Sequence, residues 1–144
     1  DANGVITPWN PNANSEVSTL VKSGNIIFAG GYFTQIGELN RNYIAAIDAT
    51  NGAITTWNPN VNGQVATIAV SGSTVFFGGS FTSVGGIVRN RIASVHITTG
   101  NVTSWNPNAN SHVSTLTISG NIIYAGGWFT SIGGQNRNRI AAIS

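Results

Sequence analysis

The chain has 144 residues, of which only 7% are charged, and six basic against four acidic side chains leave a net charge of +2. That surplus is too thin for a phosphate-binding surface, so no nucleic-acid partner is expected, and no apolar run approaches the ~20 residues of a membrane span. With no cysteine, neither a disulfide framework nor a thiolate metal site can form, and no cofactor is implied.

Gly4-Val5-Ile6-Thr7-Pro8-Trp9 predicts a short strand at a sheet edge, since Pro8 cannot donate to a ladder. Asn10-Pro11-Asn12-Ala13-Asn14-Ser15 follows, and reads as a loop because Pro presets φ and Asn tolerates left-handed backbone. A second strand is predicted over residues 17–21. Ser23-Gly24-Asn25 then turns the chain into residues 26–33, a continuous apolar run of the kind buried on both faces. Its Gly30-Gly31 pair predicts close approach of a neighbouring sheet. A longer loop over 34–42 leads to a strand at 43–48, after which Asn51-Gly52 predicts a tight hairpin turn with positive φ.

The pattern then begins again. Trp9, Trp57 and Trp105 fall at intervals of 48 residues, as do Arg41, Arg89 and Arg137. Residues 9–47 and 105–143 share 30 of 39 positions, so the sequence describes a fold far more than a site. The units run over about 9–56, 57–104 and 105–144, with 1–8 supplying a closing outer strand. Both faces of the second strand are partly apolar: Leu20 recurs as Ile68 and Leu116, Val17 as Val65 and Val113. A sheet with one wet face would alternate more cleanly. The expected fold is all-β, built of four-stranded antiparallel β-propeller blades, three to a chain. A β-trefoil or β-prism monomer, also made of three such units, is the alternative.

Trp105-Asn106-Pro107-Asn108, Gly126-Gly127, Phe129-Thr130, Ile132-Gly133-Gly134 and Arg137-Asn138-Arg139-Ile140-Ala141-Ala142 together resemble the delta-sixty type of bacterial propeller repeat. Similar kelch-like blades occur in fungal cortical marker proteins. The first unit departs from the pattern at Glu38, Leu39 and Tyr43. The resemblance spans the whole chain and implies an extracellular or cell-surface propeller, without catalytic residues to carry over.

Propellers have about four to eight blades, so three would leave a ring unclosed. Two chains about a two-fold axis would close six, with Val5, Ile6, Thr7 and Trp9 of one completing the sheet that ends in Ile140, Ala141, Ala142 and Ile143 of the other. A homodimer is therefore expected, ahead of a nine-bladed trimer. The chain also lacks methionine, and its gapless repeats suggest an excised or engineered fragment serving as a non-catalytic scaffold.

Trp9, Trp57 and Trp105 could instead stack on sugar rings, making a glycan-binding module; the competing expectation is that they wedge between blades. The repeated arginines, with Arg91 and Arg139, are expected to tie loop carbonyls rather than line an acidic-ligand pocket. Glu16, Gln64 and His112 occupy one variable position and are candidate ligand contacts near a channel mouth; Tyr32, Ser80 and Trp128 form another variable set. His96 stands where the other units have Asp48 and Ser144, and two histidines without acidic neighbours make a poor metal site. Asp1, Glu16, Glu38 and Asp48 are the only carboxylates and none repeats, so no enzyme is expected.

Overall fold

The computed structural model describes residues 3–144, which form fifteen short strands and no helix. The first unit contains β1 (Val17–Ser23), β2 (Ile26–Gly31), β3 (Gln35–Ile36), β4 (Leu39–Asn40) and β5 (Ile44–Asp48). The second repeats them as β6 (Val65–Ser71), β7 (Thr74–Gly79), β8 (Ser83–Val84), β9 (Ile87–Val88) and β10 (Ile92–His96). The third contains β11 (Val113–Ser119), β12 (Ile122–Gly127), β13 (Ser131–Ile132), β14 (Gln135–Asn136) and β15 (Ile140–Ile143). Each unit is one three-stranded antiparallel sheet, ordered β1-β2-β5 in the first case, with a two-stranded ribbon beside it.

The hairpin joining the two long strands turns at Gly24, Gly72 and Gly120, all near φ +57, where a side chain would be strained. The register shifts between Val17 and Thr19, and again at the equivalent points of β6 and β11. One residue is thereby added on the bulged strand, which puts Val65 and Ile68 on the same face, while Thr67 faces the other way and bonds β11, so that Thr67 and Ile68 are buried side by side against different sheets. This bulge, together with the sheets stacked on both sides of β6, accounts for the poor alternation there.

Three expectations are corrected. The loop at 34–42 contains the small ribbon β3–β4, stitched by Asn14, whose side-chain oxygen accepts from the amides of Thr34 and Gln35. Asn51-Gly52 does not make a two-residue hairpin turn; the Asp48 carboxylate accepts from the amides of Thr50 and Asn51, holding a wider loop in which Gly52 alone has positive φ. The counterparts of the 4–9 strand in the later units, at 53–57 and 101–105, are reduced to single bridges, Ile47 to Ile54 and Val95 to Val102, because each segment is pinned by two backbone hydrogen bonds and then leaves for the next unit. Residues 4–9, read as the equivalent strand, join no sheet.

The core lies between sheets. One cluster gathers Phe28, Ile44, Trp57, Val65, Ile68 and Phe77 from the first and second units. Another joins Ile92, Val113, Leu116 and Ile123 from the second and third. The glycine pair permits this stacking through two different contacts. A Cβ on Gly30 would lie 2.6 Å from Val65 Cγ1 of the next sheet, and one on Gly78 equally close to Val113 Cγ1. A Cβ on Gly31 or Gly79 would instead strike the backbone carbonyl of Glu16 or Gln64 within its own sheet.

Candidate functional site

Each passage from one unit to the next is held by the same set of contacts, seen twice, the arginine clamps inside a unit and the aromatic and asparagine contacts across to the next. Arg41 donates from Nη2 to the Thr55 carbonyl and Arg89 to the Thr103 carbonyl, both at 2.8 Å, while Nη1 holds the preceding carbonyl of its own loop. Their Nε atoms are buried without a partner, so the clamp also carries a desolvation cost. Trp57 meets Phe28 edge-on at 5.1 Å, and Trp105 meets Phe76 at 5.0 Å. Asn42 donates to Asn60, and Asn90 to Asn108. In the second junction the Leu116 amide donates to the buried Thr67 hydroxyl at 3.1 Å.

The same positions on the outer faces of the array stand open. Val17 is 39% exposed although Val65 and Val113 are fully buried, and Gly126, which corresponds to Gly30 and Gly78, has no valine against it. Ile140 is 70% exposed where Ile44 and Ile92 are fully buried. Tyr124, the counterpart of Phe28 and Phe76, is exposed, as is Leu20. Ile54 lies so close over Gly37 that a Cβ there would be 2.7 Å away, whereas the corresponding Gly133 meets nothing nearer than the Pro107 carbonyl at 4.0 Å. An open groove of about 230 Å³ follows from this, lined by Pro107, Ile132, Gly133, Arg137, Ala141 and Ile143. Ile6, at the repeat position of Ile54, is 91% exposed.

The structure places Val5, Ile6 and Thr7 in solvent and leaves the β15 edge, with Ala142 exposed and Ala141 buried, without a neighbour among the described residues. Trp9, Trp57 and Trp105 all donate their indole N–H to a backbone carbonyl, of Asp48, His96 and Ser144 respectively. Trp57 is buried in the first junction and has no free face for a sugar; Trp9 and Trp105 are half-buried. The variable residues meet at a rim. Ser80 lies between Gln64 of its own unit, at 3.4 Å, and His112 of the next, whose Nδ1 is 2.7 Å from the Ser80 hydroxyl. Glu16 is exposed and accepts from Ser18.

Partial burial holds the His112 imidazole below its ordinary titration range, which favours the neutral ring. The Asp48 carboxyl is also lowered, first by the Asn51 amide and then by that of Thr50, in keeping with its role in the loop. No group of three or more His, Asp or Glu side chains that could hold a metal occurs among the described residues. The open valine, glycine and tyrosine positions escaped sequence reading because they match their buried counterparts in kind. Their signal appears only when equivalent positions are compared for burial.

Repeated small antiparallel sheets stacked face to face in three units are the architecture of β-propeller blades. Residues 120–141, from the turn before β12 into β15, match a family described as a domain of unknown function (DUF5122) beta-propeller. No curated protein matches the chain. Among solved structures, the computationally designed Ika8 protein is similar with a TM-score of 0.62 and 19% identity over 88% of this chain, which spans 37% of Ika8. The computationally designed Ika4 protein is similar with a TM-score of 0.52 and 14% identity over 93% of this chain and 94% of its own. At these identities the likeness concerns the fold.

Proposed function

We propose that the chain is a non-catalytic scaffold that associates with a second copy of itself to close a six-bladed ring. The observation that carries this reading is the match between the two outer faces: an exposed Val17 on one and an unfilled Gly126 on the other, the two halves of a contact that occurs twice within the chain. The same repetition assigns the rest of the seam. Ile6 of the partner subunit fills the groove over Gly133, Thr7 of the partner subunit offers its carbonyl to Arg137 Nη2, and Trp9 of the partner subunit packs on Tyr124. Val5, Ile6 and Thr7 then run beside Ile140, Ala141, Ala142 and Ile143, covering an edge that would otherwise recruit other strands. The gapless 48-residue repetition of the units supports an excised or engineered segment of a bacterial surface propeller of the delta-sixty type.

Light scattering over a dilution series tests the ring. A mass of about 30 kDa, twice the chain mass of 15.0 kDa, is expected from a closed two-fold pair. Val17→Asp should leave a folded chain at monomer mass, since it alters an outer face while preserving the internal junctions. A wild-type mass of 15.0 kDa throughout, or one of about 45 kDa from three copies, overturns the two-copy ring.

A further inference from the structure

We infer that each seam of this ring carries a binding site for an organic cation of the quaternary ammonium class, formed by the Trp128 indole of one copy and Glu16 of the partner subunit. The inference rests on the ring reading. It starts from the rim contact inside the chain, where position 80 of one unit meets position 112 of the next, Ser80 Oγ to His112 Nδ1 at 2.7 Å. One repeat onward the same contact sets Trp128 against the partner's Glu16, with His112 of its own unit on the other side.

Packing does not demand a tryptophan there. Ser80 occupies the same position in the second unit, and Trp128 is 68% exposed. Closing the ring would not bury it, because Tyr32, which already has the second unit beside it, remains 51% exposed. A large indole face held open at a junction, next to a carboxylate, is a suitable environment for a poorly hydrated cation: the ring quadrupole attracts the charge and the carboxylate balances it. Partial burial lowers the His112 pKa, which favours an uncharged ring that adds no opposing charge. The other two junctions present Tyr32 with Gln64 and Ser80 with His112, and neither combines an indole with an anionic group.

Choline serves as the probe and its uncharged carbon isostere as the control, read by the indole NMR signal of Trp128 and by tryptophan fluorescence, with the molar mass measured in the same samples. Choline should shift the Trp128 signal saturably, and the isostere should bind at least about tenfold more weakly. Glu16→Gln and Trp128→Ser each install the residue found at the equivalent position of the second unit, so both variants should fold and pair. Each alone should lose the response. Mixed together they should regain it, because a mixed ring contains one seam with both Trp128 and Glu16. A 30 kDa ring that ignores choline, binds the isostere equally well, or gains nothing on mixing overturns the site while leaving the ring intact. A chain that stays at monomer mass overturns the ring, and the shared site with it.

Discussion

At the scale of single residues, glycine separates two kinds of constraint within one dipeptide. Gly78 is required by a side chain of the next sheet and Gly79 by a carbonyl of its own. Gly78→Ala forces a methyl against Val113 Cγ1 at 2.6 Å and should destabilise the chain by about 1–3 kcal/mol, as overpacking of a close contact does. Gly126→Ala meets the Thr115 methyl of its own sheet at 2.9 Å and nothing of another sheet, so it should cost the chain less than Gly78→Ala and weaken association as well. Urea denaturation paired with light scattering separates the two: the first variant lowers the unfolding midpoint strongly, the second lowers it less and also lowers the dimer fraction. Equal losses of midpoint would contradict the unfilled-glycine argument.

At the scale of elements, stability depends on how one sheet is fastened to the next. Apolar burial supplies most of the contact, and a few polar groups set its register. Thr67 is one such group, a buried hydroxyl in β6 that satisfies the Leu116 amide of β11. Thr67→Val keeps shape and volume but leaves that amide without an acceptor, at a cost of about 1–3 kcal/mol. Hydrogen exchange should locate the effect, with the Leu116 amide exchanging faster than its neighbours in β11. Unchanged exchange at Leu116 would show that the hydroxyl is not its acceptor in solution. The arginine clamps act in parallel, each taking a carbonyl from the segment that leaves for the following sheet.

At the scale of the whole molecule, no element among the described residues closes the array. Each sheet is sandwiched only where a neighbour exists, and the outer faces present Val17 and Leu20 on one side and Tyr124 and Ile140 on the other. If a second copy covers those faces, mass action links folding to association. Thermal unfolding should then shift upward by several degrees over a hundredfold rise in protein concentration, and Val17→Asp should abolish the dependence. A melting temperature independent of concentration, in a chain that remains monomeric, would place all of the stability within the three units.

Much of this architecture could be read from the sequence. The 48-residue period, the strands expected at 26–33 and 43–48 and found at Ile26–Gly31 and Ile44–Asp48, the glycine turn and the close approach at Gly30 are local or periodic properties, and periodicity survives in a linear text. The bulge after Val17 and the ribbon β3–β4 were not legible, because hydrogen bonds between distant residues create them: the first needs β2, the second needs Asn14. The rim was half legible. Glu16, Gln64 and His112 stood out as variable, but the meeting of Ser80 with His112 of the next unit depends on how adjacent sheets are offset.

Ile44, Ile92 and Ile140 mark the boundary between the two kinds of information. All three precede alanine at the start of an equivalent strand, and by itself the sequence determined that each belongs to a β-strand of one repeated unit. Yet two are fully buried and the third is 70% exposed. Backbone conformation follows from neighbours along the chain, which these isoleucines largely share. Burial follows from neighbours in space, and only the tertiary structure decided that Ile140 has a sheet on one side alone.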